Sequence, residues 1–501
     1  MTIPSRALDR ETVLATLRAY ARDDVPTHGG RTFAYVYDAG TPDVDETARE
    51  AAGMFLWHNG LDPTAFPSLL RLENEIVGML AGHLGGGPGT AAPEACGTVT
   101  SGGTESCLLA VKSARDRRPR LDGPEMVLPA TAHPAFHKAA HLFGVRPVVT
   151  PIDPESLRAD AEAMASAITE RTVLVVASAP SYAHGVVDPV REIASAASAR
   201  GVLCHVDACV GGFVLPYLRR LGRGVPDFDL SVPGVTSIAA DLHKYAYTPK
   251  GASALLYHDP ALRAHQMWGY AAWPGYTVVN ATLQGTKSGA PLAAAWATLR
   301  GHGDDGYLEL ARRAWEASRR LRAGIADLSG LRVLGDPDMT LLALAGERGV
   351  DVYALADLMR ERGWYLQPQP ARLGLSPTLH LTVGAATLPL VDDLLGELAL
   401  AVEEARATPG QDVSELARML RETDPTALTP RMVRDLLARL TRDGDGPDGA
   451  GAAPSGPPTR MADVNRLLDA LPSQTVSALF VAVLNALYEP TSPTEDSSRR
   501  A

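Results

Sequence analysis

The chain predicts an α/β fold built on a mostly parallel sheet with helices on both faces. Three observations point there. From Cys96 onward, short apolar runs alternate with helical stretches, as in sheets covered on both sides. Several of those runs end in glycine or polar turns, and the carboxyl ends of strands are where open sheets place ligands. At 501 residues with 46% hydrophobic content, the chain can bury a sizeable core, and ~150 residues per domain suggests two or three units.

Taken in order, residues 8–22 read as an amphipathic helix, with Leu8, Val13, Leu14, Leu17 and Tyr20 near helical spacing. The stretch 29–38 is loop-rich, and Tyr35 and Tyr37 fall on one side if it is extended, which suits a subunit contact. Residues 57–67 carry too many turn formers for regular structure and lead into a helix over 69–84. Strands follow near Met126–Leu128, Val173–Ala177, Val202–Val206, Thr236–Asp241 and Ser253–His258. No clear period marks 268–290. Helices are expected around Leu292–Leu299 and over Leu310–Leu328. Residues 331–400 alternate strand, helix, strand, helix, with strands near Met339–Leu344 and Leu379–Val383. Beyond about 410, helical stretches at 412–421 and 430–441 precede a Pro/Gly/Asp-rich linker at 443–458 that is expected to be disordered. A final amphipathic helix over 475–488 is expected to dock on the body or on a partner, ahead of a loose tail from 491.

Composition excludes several classes. A formal charge of -11 argues against nucleic acid or an anionic membrane as partner. Cys96, Cys107, Cys204 and Cys209 show neither metal-ligand spacing nor a disulfide framework, so no metal is expected and a reducing cytoplasm is. The first ten residues lack the apolar core of a signal peptide, and no run of 18 apolar residues could span a membrane.

Lysine is rare, and that singles out Lys244. Of 47 basic residues only Lys112, Lys138, Lys244, Lys250 and Lys287 are lysines. Such a chain keeps lysine where a guanidinium cannot serve, and one such job is forming an imine with an aldehyde, because arginine never deprotonates and lysine can. Any one lysine alone is more often a solvated surface charge. Lys244 differs because His243 precedes it and a buried strand runs into its turn. Ser101-Gly102-Gly103-Thr104 joins a strand to a helix, and free N–H groups at such a turn favour a phosphate, although a plain capped turn reads alike. His133 lies outside the strand Met126–Leu128, either capping the next helix or facing a ligand. Asp207 ends a buried strand, where a carboxylate needs a partner: a structural cation or a ligand's pyridinium nitrogen.

Together these motifs form a constellation. Thr100–Ser106, Ala132-His133 with Lys138, Ala179–Pro189, His205–Phe213 and Ala240–Gly251 follow one another, with 37 residues from Asp207 to Lys244. The chain resembles the group II decarboxylase branch of fold-type I pyridoxal-phosphate enzymes, and most resembles the sphingosine-1-phosphate lyase family, from about residue 30 to about 405. The resemblance implies a large domain at 61–305 with a mostly parallel seven-stranded sheet, after an N-terminal segment at 1–60. A small α+β domain at 306–405 and a helical extension at 406–501 would follow. It implies pyridoxal 5′-phosphate, held by Lys244 as an imine, with Asp207 at the pyridine nitrogen and His133 and Cys209 on the ring faces. Gly102, Gly103, Thr104 and His243 would bind the phosphate. Gly285 and Thr286 would do so from the second subunit of a homodimer. Tyr37, Tyr182 and Lys250 would stand beside the substrate as candidate bases.

The implied reaction is retro-aldol cleavage of a β-hydroxy amine or amino acid, with α-decarboxylation of an amino acid as the alternative. The motif Ala-Pro-Ser-Tyr-x-His-Gly and a second lysine six residues after the first favour the lyase branch. Two departures from the family pattern bear on the substrate. Asn59-Gly-Leu-Asp62-Pro63 has a carboxylate where the family usually has histidine, and Thr286-Lys287 replaces a Ser-Arg or Thr-Arg pair. Both predict a smaller or differently charged substrate than a sphingoid phosphate.

Overall fold

In the computed structural model, residues 3, 5–408, 410–424, 429, 432 and 460–488 are described. The linker expected at 443–458, the tail from 491 and nearly all of the helix expected at 430–441 lie outside the described residues. The chain divides into two compact units. One comprises Thr27–Ala345 and His380–Leu395; the other comprises Met1–Pro26, Gly346–Leu379 and Gly396–Ala501.

The first unit holds a seven-stranded sheet of β1 (Cys96–Thr100), β2 (Glu125–Pro129), β3 (Arg146–Thr150), β4 (Thr172–Ser178), β5 (Leu203–Asp207), β6 (Ser237–Ala240) and β7 (Ser253–Tyr257). Their order across the sheet is β1-β7-β6-β5-β4-β2-β3. Only β7 opposes its neighbours, pairing antiparallel with both β1 and β6. The carboxyl ends of β1, β2, β4, β5 and β6 therefore open onto one edge, where the motifs read from sequence come together.

Side chains alternate along each strand, so both faces of a parallel sheet must be apolar. Val127, Val175, Val206 and Ile238 enter one core with Ile76, Leu80 and Ile193 of the helices Pro67–His83 and Val190–Ser198. Met126, Leu128, Leu174, Val176 and Ala239 enter the other, with Val111 and Phe136 of Gly103–Asp116 and Pro134–Phe143. The expected helix pair after residue 290 forms as Gly289–Asp327, broken at Gly303, whose φ of 62° glycine adopts freely. The stretch 268–290, which showed no period, contains a short hairpin, Trp268–Tyr270 with Val278–Asn280.

In the second unit, Arg10–Tyr20 is helical with no buried residue. The helices Ser414–Glu422, Ala462–Asp469 and Ser473–Leu487 share a small core of Leu420, Val464, Leu467, Leu471 and Leu479. They are tied to the helix Val352–Glu361 and its Asp351 N-cap: Arg466 reaches Asp351 at 2.6 Å, and Asp357 accepts the Met461 and Ala462 N–H groups at 2.9 and 2.8 Å. No helix among the described residues is long and apolar enough to cross a membrane.

Candidate active site

Lys244 sits in the turn after β6, with its side chain four-fifths buried. Its ammonium lies 2.9 Å from Asp241 Oδ2, and Asp241 is itself almost wholly buried. Burial works against charge on both groups. Their mutual attraction prevails, holding the Lys244 amine protonated well above the usual lysine range and the Asp241 carboxyl below its own. Asp241 Oδ1 has no hydrogen-bond partner, a buried oxygen left open at the centre of the site.

Asp207 ends β5 and is buried; its protein hydrogen bond comes from the Cys209 N–H at 3.1 Å, and among the described residues no cation pairs with it. Cys107, on the helix Gly103–Asp116, completes a buried group with Asp207 and Cys209 whose side-chain ligand atoms lie within 4.8 Å of one another. The hydrogen bond from Cys107 and burial push the Cys209 thiol well above its usual range.

The turn Ser101–Thr104 leads from β1 into the helix Gly103–Asp116, whose first N–H groups have no helical acceptor. A Cβ at Gly103 would lie 2.7 and 2.8 Å from the Asp241 oxygens and 2.8 Å from Cys209 Sγ, so only glycine lets the backbone approach there. Gly102 faces the His243 ring. His243 Nδ1 accepts the Ala252 N–H at 3.2 Å, and burial lowers the proton affinity of its ring. Glu105 fastens this turn, accepting the Ser101 N–H and hydroxyl at 2.7 and 2.8 Å and the Leu283 N–H at 2.8 Å.

Two of the candidate bases, Tyr37 and Lys250, stand near the amine. Tyr37 is edge-on to Tyr245 at 5.2 Å; burial raises its phenol, with Lys244 acting in the opposite direction. Lys250 lies over the Tyr37 ring at 5.1 Å, and burial together with Lys244 pushes its amine down to about 8. Tyr182 stacks on His380 with centroids 4.2 Å apart. His133 caps the helix Pro134–Phe143, its Nδ1 accepting the Ala135 N–H at 3.2 Å, which fixes the ring.

The remaining predicted residues fall elsewhere. Asn59 bridges to Ser288, and Gly60 N–H donates to the Lys287 carbonyl at 2.7 Å, so the backbones of the two segments that carry the departures meet. Lys287 is engaged by both oxygens of Glu73, at 2.7 and 2.8 Å. Asp62 is exposed, its carboxylate turned back to Thr64 at 2.6 and 2.8 Å. Gly285 and Thr286 are exposed in the loop that Glu105 holds at Leu283. Sequence reasoning gave no role to Asp241, Glu105 or His380. Asp241 stood inside the Lys244 motif three residues upstream, a spacing that a tight turn brings face to face.

A glycine-lined anion cradle, an open buried oxygen, an unpaired strand-end carboxylate and a buried amine suit one coenzyme: a phosphorylated aldehyde with a basic ring nitrogen. The fold and site define a pyridoxal-phosphate-dependent lyase. The pyridoxal-dependent decarboxylase conserved domain matches residues 53–345, and a C-terminal domain model of pyridoxal-dependent enzymes matches 414–486. The chain is 40% identical over 371 residues to a sphingosine-1-phosphate lyase of Arabidopsis thaliana, covering 74% of this chain and 67% of that protein. The structure of a sphingosine-1-phosphate lyase from Burkholderia pseudomallei superposes with a TM-score of 0.76 at 36% identity, covering 81% of this chain and 93% of that one. A glutamate decarboxylase from Lactobacillus brevis shares the fold at 19% identity, with a TM-score of 0.71 over 82% of this chain and 96% of that one. The chain belongs to the pyridoxal-dependent decarboxylase family.

Proposed function

We propose that the protein cleaves the Cα–Cβ bond of a β-hydroxy amine by a retro-aldol reaction, releasing an aldehyde and a smaller amine. The observation that carries this reading is the placing of Tyr37 and Lys250 beside the buried Lys244 amine, since cleavage needs a base for a substrate hydroxyl and decarboxylation does not. The similarity to sphingosine-1-phosphate lyases supports it and makes sphingosine 1-phosphate the first substrate to test.

Pyridoxal phosphate supplies the electron sink for the breaking bond. Lys244 binds the coenzyme and holds or returns a proton at the substrate α-carbon. Asp207 keeps a proton on the ring nitrogen. Gly102, Gly103, Thr104 and His243 would hold the phosphate, and His133 and Cys209 would hold the ring. Tyr37, Tyr182 or Lys250 takes the hydroxyl proton. Asn59, Asp62 and Lys287 form the rim met by the substrate head. With Asp62 turned to Thr64 and Lys287 held by Glu73, that rim favours a smaller or differently charged head than phosphate. Gly285 and Thr286 reach the site of a second copy in a cytoplasmic homodimer. The exposed Trp268, Tyr270, Trp273 and Tyr276 beside that loop support the pairing.

The test offers the coenzyme-loaded enzyme sphingosine 1-phosphate, small β-hydroxy amino acids and common amino acids, with mass-spectrometric detection. Aldehyde release from either β-hydroxy class is expected, and the balance between the two settles the head group. Carbon dioxide without aldehyde overturns the reading in favour of decarboxylation.

A further inference from the structure

The two tyrosines beside the site come from distant parts of the sequence, yet one strand holds both. In Thr378–Thr382, alternation puts His380 and Thr382 on the same face, and both are buried. Tyr182 stacks on the His380 ring, nearly parallel at 19°. His380 Nε2 lies 2.9 Å from Thr382 Oγ1, and the Thr382 side chain in turn acts on the Tyr37 phenol, drawing its titration downward. The Thr382 N–H donates to the Phe33 carbonyl at 2.8 Å, pinning the backbone that leads to Tyr37. Both phenols lie within electrostatic reach of Tyr245, whose hydroxyl accepts from Thr340 at 2.5 Å and donates to the Val383 carbonyl at 3.0 Å.

We propose that His380 is a positioning residue for the reaction: through Thr382 it fixes the Tyr37 phenol, and by ring stacking it fixes Tyr182. This rests on the reading of those tyrosines as bases for the substrate hydroxyl. The imidazole suits the task because it stays neutral. Burial, with His184 nearby, pushes its proton affinity down to about 3, so it neither gains charge nor lets go of Thr382 at working pH. Lys244, Asp241 and Cys209 also act on Tyr37 electrostatically, Lys250 lies over its ring, and Tyr245 packs at its edge. Among these influences the Thr382 side chain is the hydrogen-bonding one. It favours the ionised phenol, so losing it moves Tyr37 titration upward.

Three variants separate the two arms. His380→Phe keeps a ring for Tyr182 and removes the bond to Thr382. Thr382→Val removes the same bond from its other end with little change in volume. His380→Gln keeps a polar group at the Nε2 position without the ring. His380→Phe and Thr382→Val are expected to lower kcat ~10- to 100-fold with KM within about threefold. Both should move the kcat–pH profile toward higher pH, whereas His380→Gln should keep the wild-type profile. Alkaline difference spectra of the coenzyme-free protein, with Tyr37→Phe assigning the signal, should show the same upward shift of Tyr37. An unshifted Tyr37 titration in either folded bond-breaking variant overturns the inference, whatever the substrate proves to be. Absence of aldehyde from the wild type instead overturns the reaction assignment alone, and the spectra still decide the role of His380.

Discussion

The strand-end cluster around Lys244 and the rim formed by Asn59–Asp62 with Lys287 differ in how their charges are held. In the cluster, Asp241 and Lys244 are buried against each other, Asp241 keeps an open oxygen, and Asp207 pairs with no described cation. On the rim, Lys287 is neutralised by Glu73 and Asp62 is satisfied within its own turn. Buried polar groups are expensive to leave unmatched, so the cluster's vacant valences mark where a ligand belongs. The rim is complete without one. Coenzyme chemistry is thus built into the first region, whereas the second has its charges satisfied by its own neighbours.

Substitutions test that contrast in descending order of effect. Lys244→Ala is expected to cost ~10³-fold or more in kcat and to abolish the coenzyme absorbance that borohydride reduction fixes to the wild type. Asp207→Ala should lose ~10²- to 10³-fold in kcat while coenzyme still binds; a loss no larger than that of a rim variant would erase the distinction. Lys250 acts as a base only when neutral, and its amine is pushed from 10.5 down to about 8. If it supplies the base, kcat rises as pH climbs through about 8 and levels off above it. Lys250→Met and Lys250→Arg should both lose that limb and ~10- to 100-fold of rate. At the small end, Asp62→His should change the preference between phosphorylated and unphosphorylated substrates by about a few-fold, as exposed charges do. A change as large as that of Asp207→Ala would move the rim into the catalytic region.

Legibility followed locality. The strands β4 and β5 were readable because Val173–Ala177 is a continuous buried apolar run and Val202–Val206 is an apolar run broken only by the buried His205. The strand β3 was not, because Arg146-Pro-Val-Val-Thr150 is an edge strand with a proline and two partly exposed valines. Lys244, Asp207 and the glycine turn were visible because each stands at a strand end with its own motif. Asp241 was present in the motif, but its contact with Lys244 appears only once the turn closes. The strand near Leu379–Val383 was predicted, yet nothing local says that one of its faces meets Tyr37 and Tyr182, which are fixed only by tertiary packing. Asp62 failed in the other direction. Its position suggested charge facing a substrate, while its neighbour Thr64 offered the nearer partner.

The 2.9 Å pairing of Lys244 with Asp241 has a consequence for how the holoenzyme is made. An amine can attack an aldehyde only with its lone pair free, so loading must begin by stripping a proton from an ammonium clamped to its neighbour. Reconstitution should therefore be slow at neutral pH, quicken in alkali, and become far less pH-dependent in Asp241→Asn.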